Sequence, residues 1–251
     1  MKLYRLGEPI SLSRMLPLLQ NMGVELIDER PYEIVSSDGQ RFWIYDLGLR
    51  YEPSAGAPDD DGKERFQEAF TRLWRGEVEN DGFNALVLHA GLHWWQAMIL
   101  RAYAMYLQQA GTTFSNSYIA QVLQRNASIT RLIVRLGESR LDPALAGGEE
   151  ERSAAIAEEI EGELEHVASL DEDRILRAYL SLVKATLRTN FYQGRPYLAL
   201  KFDPSAIPDL PEPRPYSEIF VYSPTVEGVH LRYGSVARGG QRWSDRREDF
   251  R

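Results

Sequence analysis

The chain has 251 residues, 43% of them hydrophobic and 26% charged, with a formal net charge of −8. Such a composition supports a packed core in one large or two ordinary domains, and its acidic balance argues against a nucleic-acid-binding module, which needs a basic face. There is no cysteine, which removes disulfides, thiol catalysis and cysteine-metal sites. No apolar run reaches the roughly 20 residues of a membrane span, and Met1–Leu6 lacks a secretory apolar region, so a soluble, cytoplasmic protein is expected.

In chain order the pattern predicts an α+β fold in which a β-α-β-β module, residues 1–52, comes first. Leu3–Leu6 reads as a strand. Ser11–Met22 reads as a helix from the spacing of Leu12, Met15, Leu16, Leu18 and Leu19, stopped by Gly23. Pro17 lies inside that stripe and is expected near the first turns, or to kink the helix. A strand from Val24 to Val35 then turns at Ser37-Asp38-Gly39 and returns as Arg41–Asp46, a hairpin signal. Residues 53–62, rich in Pro, Gly and Asp, read as a linker.

A helical period follows over residues 63–193, predicting a helical domain. Helices are expected at Lys63–Arg75, Phe83–Ala90 and Leu92–Gln109. The last has Trp95, Met98, Ile99, Ala102 and Tyr106 on one face. Ser115 and Ser128 are candidate N-caps for Asn116–Gln124 and Ile129–Leu136, with Gly137 as a stop. An acidic helix, Glu149–Ala168, carries Ile156, Ile160, Leu164 and Val167 inward. A final helix runs from Asp171 to about Asn190, with Ile175, Tyr179, Leu182, Val183 and Leu187 inward. Residues 194–251 revert to strand: Tyr197–Phe202, a proline-rich connector from Pro204 to Pro215, then an alternating strand pair leading into Gly239-Gly240.

Few motifs carry chemistry. No Gly-x-Gly occurs, so there is neither a dinucleotide fingerprint nor a P-loop. His89 and His93 have the spacing of two metal ligands on one helix, but the third ligand and catalytic glutamate of a zinc-protease pattern are missing; they read as structural histidines and no metal is assigned. His93-Trp94-Trp95 reads as packing. The runs Glu149–Glu151 and Glu158-Glu159 lie opposite an apolar stripe and read as a solvated face. Arg238-Gly239-Gly240-Gln241-Arg242 is different. Paired glycines let a backbone approach a ligand, and flanking arginines offer bidentate carboxylate recognition. A tight turn with solvated arginines fits the same residues.

The stretches Ser217–Pro224, Glu227–Arg232 and Val236–Arg251 resemble the large NAD-specific glutamate dehydrogenases of bacteria. The likeness extends upstream through Ile207–Pro215, Leu200–Pro204, Thr189–Gln193 and Phe114–Pro143, to Asn21–Gly23, Pro31–Ile34 and Leu3–Arg5. It implies an internal fragment of such an enzyme, which deaminates L-glutamate oxidatively to 2-oxoglutarate and ammonia. Residues 1–52 would then be an ACT-like regulatory module and 194–251 the start of the substrate-binding domain. Small relatives have Lys-Gly-Gly-x-Arg at the glycine corner, with the lysine on a substrate carboxylate. Arg238 takes the lysine's place and Gln241 replaces an aliphatic residue, so Arg238, Gly239, Gly240 and Arg242 are the implied substrate-binding residues. The resemblance places the catalytic residues and the NAD-binding domain beyond Arg251, so no catalytic or cofactor-binding residue is assigned and the chain alone is expected to be inactive. It also implies a homo-oligomer, with an amino-acid effector as a further partner. The other reading is a non-catalytic regulatory and assembly module.

Overall fold

The computed structural model describes residues 1–51, 61–208, 210–234, 236 and 239–245, the last stretch for its backbone alone. The chain is α+β and divides into two compact units, Met1–Trp94 and Trp95–Arg251.

In the first unit, β1 (Lys2–Leu6), α1 (Leu12–Asn21), β2 (Glu25–Val35) and β3 (Arg41–Arg50) follow the expected order, and the strands form an antiparallel sheet ordered β1-β3-β2. The hairpin turns where Gly39 adopts φ +83°, with the Asp38 carboxylate accepting from Ser36 Oγ and the Gln40 amide. These bonds hold the Asp38 carboxyl below the usual carboxylate range, that from Ser36 most of all. Pro17 sits well inside α1, where it removes one helical hydrogen bond. Burial of Met15 and Leu19 on either side of it offsets that loss.

A second helix, α2 (Gly62–Trp74), completes one helical layer. Its Phe66, Phe70 and Leu73 join Met15, Leu19 and Met22 of the α1 region over Tyr45 and Leu47 of β3. The expected linker, residues 53–62, lies outside the described residues except for Asp61 and Gly62, which open α2. The expected Phe83–Ala90 helix is shorter than its pattern. A 3-10 turn at Gly82–Ala85, capped by Asp81, leads into a single turn, α3 (Leu86–His89), and Gly91 at φ +63° ends it.

The second unit holds α4 (Trp94–Gln109), α5 (Asn116–Arg125), α6 (Ala127–Leu141), α7 (Glu149–Leu164) and α8 (Leu170–Ala185). An antiparallel meander follows: β4 (Thr186–Thr189), β5 (Leu198–Phe202), β6 (Ser217–Tyr222), β7 (Val226–Arg232) and β8 (Gly239–Asp245). α4 buries more than one stripe. Every residue from Arg101 to Tyr106 is buried, whereas Trp95, Met98 and Ile99 are half-buried, because the second half of the helix is enclosed on all sides.

Ser115 caps α5 by accepting from the Tyr118 amide. α6 starts at Ala127, two residues before the expected Ile129 and with Asn126 rather than Ser128 at the cap position, and runs through Gly137 to Leu141. Gly137 stays helical because it lies on the α6–α8 contact, where an added Cβ would stand 3.9 Å from Val183 Cγ1. α8 stops at Ala185 rather than near Asn190. Thr186–Thr189 pairs with β5 instead, leaving Leu187 exposed rather than inward. Strand pairing and two β-branched threonines there outweigh the helical pattern.

Candidate functional site

The residues singled out at the C-terminus fall on β8. Gly239 pairs with Arg232, Gly240 with Leu231 and Arg242 with Val229 of β7, so the glycine pair runs in strand register rather than turning a corner. Arg238 lies outside the described residues.

What fixes the neighbouring ribbon in place is a buried polar layer between α4 and the sheet. Strand alternation sends Glu218, Phe220 and Tyr222 of β6, and Glu227 and Val229 of β7, to one buried face. Glu227 is fully buried and accepts from Gln109 Nε2 at 2.6 Å; Glu218 accepts from the Tyr106 hydroxyl. Tyr106 lies against Phe202 and Phe220, with ring centroids 4.4 and 5.7 Å away. Burial first, and then the Glu218 carboxylate, push its hydroxyl far above its ordinary pKa, so it remains a donor. Next to it, Tyr103 and Thr186 share a 2.9 Å bond, and burial raises the Tyr103 hydroxyl to about 12. Arg101 is 0% exposed in the same helix. Sequence reasoning missed this layer. The signal was present, since Glu218-x-Phe220-x-Tyr222 and Glu227-x-Val229 put glutamates at inward positions.

The buried layer can orient β7, and through its ladder β8, but offers no open space for a reactant. A cavity of about 30 Å³ between Leu100, Tyr103, Val183 and Leu200 is water-sized and apolar. The described residues do not fit a dinucleotide either. Every strand pairing among them is antiparallel, so they lack the parallel sheet on which a dinucleotide fold is built.

Open space lies elsewhere, in a groove of about 680 Å³ beside Gly111 and Arg174 in the second unit and in one within the first unit. The latter, with room for about 650 Å³, lies between α1, the start of β2, the end of β3 and His89. Gln20, Glu25, Arg50 and His89 supply its polar lining. Arg50 meets Glu25 at 3.4 Å, and both side chains are more than half exposed. Gly23 at φ +78° lets the chain pass beneath the imidazole, where an added Cβ would stand 3.0 Å from His89 Nε2. Tyr51 meets the same ring edge-on at 5.5 Å, and burial holds the His89 pKa below its ordinary value. His89 and His93 share no helical face, because Gly91 separates α3 from α4. Among the described residues no group of three His, Asp or Glu is placed to hold a metal. Trp94 donates to Glu68 at 2.9 Å and Trp95 packs on Phe191, as packing residues do. Glu149–Glu151 and Glu158-Glu159 are exposed on α7. No helix among the described residues is long and apolar enough to cross a membrane.

Comparison with known proteins gives a consistent picture along the chain. Residues 1–62 match the family described as glutamate dehydrogenase, ACT3 domain, and 78–143 match glutamate dehydrogenase, helical motif 3. Residues 159–251 match bacterial NAD-glutamate dehydrogenase, catalytic domain. The chain is 48% identical to the NAD-specific glutamate dehydrogenase of Halomonas elongata over its full length, and 48% identical to that of Mycobacterium tuberculosis over 98% of it. The protein of the same name in Pseudomonas aeruginosa is 47% identical over the full chain. The chain spans 16% of the length of each of these relatives.

Proposed function

Because the chain belongs to the family of large bacterial NAD-specific glutamate dehydrogenases, we propose that it works as the part of such an enzyme that joins an ACT-like module to the opening strands of the catalytic domain. The whole enzyme would deaminate L-glutamate oxidatively to 2-oxoglutarate and ammonia in the cytoplasm, with NAD as oxidant. The supporting observation is the uninterrupted order of three glutamate dehydrogenase regions in one chain. In this reading residues 1–52 are the ACT-like module, 63–193 the helical domain and 194–251 the start of substrate binding.

Arg238 and Arg242, with Gly239-Gly240 between them, hold a glutamate carboxylate, since guanidinium groups beside an approachable backbone suit that anion. The chain alone has no dehydrogenase activity. The test is glutamate-dependent NADH formation by the longer protein and by the 251-residue chain. Activity is expected in the first only, and Arg238→Ala or Arg242→Ala in the longer protein raises KM for glutamate about tenfold or more. An unchanged KM in both variants rejects the carboxylate role, and turnover by the short chain rejects its inactivity.

A second reading rests on the groove beside His89: the first unit serves as a regulatory and assembly module that binds an amino acid. The exposed Arg50–Glu25 pair is weak in water, on the order of 0–1 kcal/mol. A zwitterion can exchange it for two new pairs, its carboxylate on Arg50 and its ammonium on Glu25. Calorimetry with a panel of amino acids tests this, and the absence of any heat of binding across the panel removes the sensing role.

A further inference from the structure

The three-stranded sheet has one face beneath α1 and α2 and a second face on which, among the described residues, large apolar side chains stay exposed. Register aligns two rows of three residues on that outer face: Tyr4, Ile44 and Tyr32, then Leu6, Phe42 and Ile34, each across β1, β3 and β2. Tyr4 is 70% exposed, Leu6 59%, Tyr32 51%, Ile34 48% and Phe42 38%. Solvated faces of antiparallel sheets ordinarily carry polar residues at these positions. The rows expose on the order of 500 Å² of contiguous apolar surface, at the upper end of what a monomer leaves bare.

We propose that this face binds the same face of a second copy of the chain, forming a two-fold sheet-on-sheet dimer. Two such faces bury about 1,000 Å² together before any rim is counted, the lower bound for a specific interface. Sheets packed face to face stand about 10 Å apart, the depth that interdigitated Tyr, Phe and Ile side chains fill.

Charge selects the orientation. One end of the face carries Lys2, Asp46 and Arg30 in a single row, with Asp28 beside Arg30 at 3.1 Å. The other end is the hairpin turn, whose Asp38 is held anionic by Ser36 and Gln40. A two-fold axis parallel to the strands would set Asp46 on its own copy and Lys2 on Arg30. An axis across the strands instead brings the Arg30 end of one copy to the Asp38 turn of the other, twice. The Asp46 self-contact and the Lys2–Arg30 contact of the parallel axis are then both avoided, and Arg30 gains Asp38 of the other copy beside its own Asp28.

This pairing deepens the assembly half of the second reading and stands apart from its sensing half. A ligand in the groove without a dimer sinks the pairing alone, and a dimer without a ligand sinks the sensing alone. The experiment is sedimentation velocity of the 251-residue chain over roughly 1–200 µM, where a contact of this size reports itself. A dimer is expected, with its dissociation constant raised at least about tenfold by Phe42→Glu and by Tyr4→Glu. Tyr4 lies on an edge strand and is mostly exposed, so that variant folds as the parent does, with circular dichroism as the check. Asp38→Lys weakens the dimer, and Arg30→Glu added to the same chain restores it. A chain that stays monomeric throughout the range, or a dimer that both glutamate variants leave unchanged, overturns the proposal.

Discussion

The two sheets of this molecule treat charge in opposite ways. The β1-β3-β2 sheet keeps its ionic pairs at the rim and presents apolar side chains outward. In the β4–β8 sheet, Glu218 and Glu227 point into the core, and the opposite face carries Lys201, His230 and Arg232, all half-buried. The difference is one of how each sheet is completed. The second sheet satisfies its inward glutamates within its own unit, through Tyr106 and Gln109 of α4. The first leaves Tyr4, Leu6, Tyr32, Ile34 and Phe42 exposed among the described residues.

The sharpest way to break that contrast is to remove the wall of the second sheet. Phe220→Ala deletes a fully buried ring packed on Tyr106 and is expected to cost about 3–5 kcal/mol in urea unfolding. Ile34→Thr on the outer face of the first sheet is expected to change monomer stability by no more than about 0.5 kcal/mol. Tyr106→Phe comes next. It keeps the ring and removes the donor to the buried Glu218, at an expected loss of about 1–3 kcal/mol. A near-zero effect for Tyr106→Phe would mean that the buried layer draws its support from packing alone.

How far the sequence foretold these regions follows from the range of the interactions. The first sheet was legible because its signals are local. The Asp38-Gly39 turn, the alternation in β3 and the Met15/Leu19 stripe each reside within a few residues. The errors cluster where partners are distant. Gly137 looks like a stop until Val183 is seen beside it. Thr186–Thr189 looks helical until β5 pairs with it, and Phe83–Ala90 looks like one helix although Asp81 caps a tighter turn. Arg101 is wholly buried, which no local pattern in α4 announces. The groove beside His89 was not legible as a place, because it joins Gln20, Glu25, Arg50 and His89 from four segments. At the glycine pair, residue types suggested an anion site, and strand register now places Gly239, Gly240 and Arg242 opposite β7.

Smaller effects bear on the groove. Gly23→Ala puts a side chain at φ +78° and directly against the imidazole of His89. About 1–2 kcal/mol of stability should be lost, with any amino-acid binding reduced in the same variant. The smallest expected effect is a pair of pH windows, one in each unit. Burial lowers the His89 pKa, so the unfolded chain takes up a proton there before the folded chain does. That contribution is complete above the unfolded value near 6.5 and declines as pH falls through it toward the lower folded pKa. Glu172 in the second unit is lowered chiefly by the Asn126 amide at 2.9 Å, and then by Arg125. Its contribution is complete above the ordinary carboxyl range and declines only as pH falls below it. Acid should therefore loosen the first unit before the second, as followed by amide exchange between pH 7 and pH 4 at roughly half-unit steps. His89→Gln should abolish the upper window and leave the lower one, whereas Asn126→Ala should shift the lower one alone. A single transition at which both units loosen together would mean that the two sheets, for all their difference in charge, unfold as one.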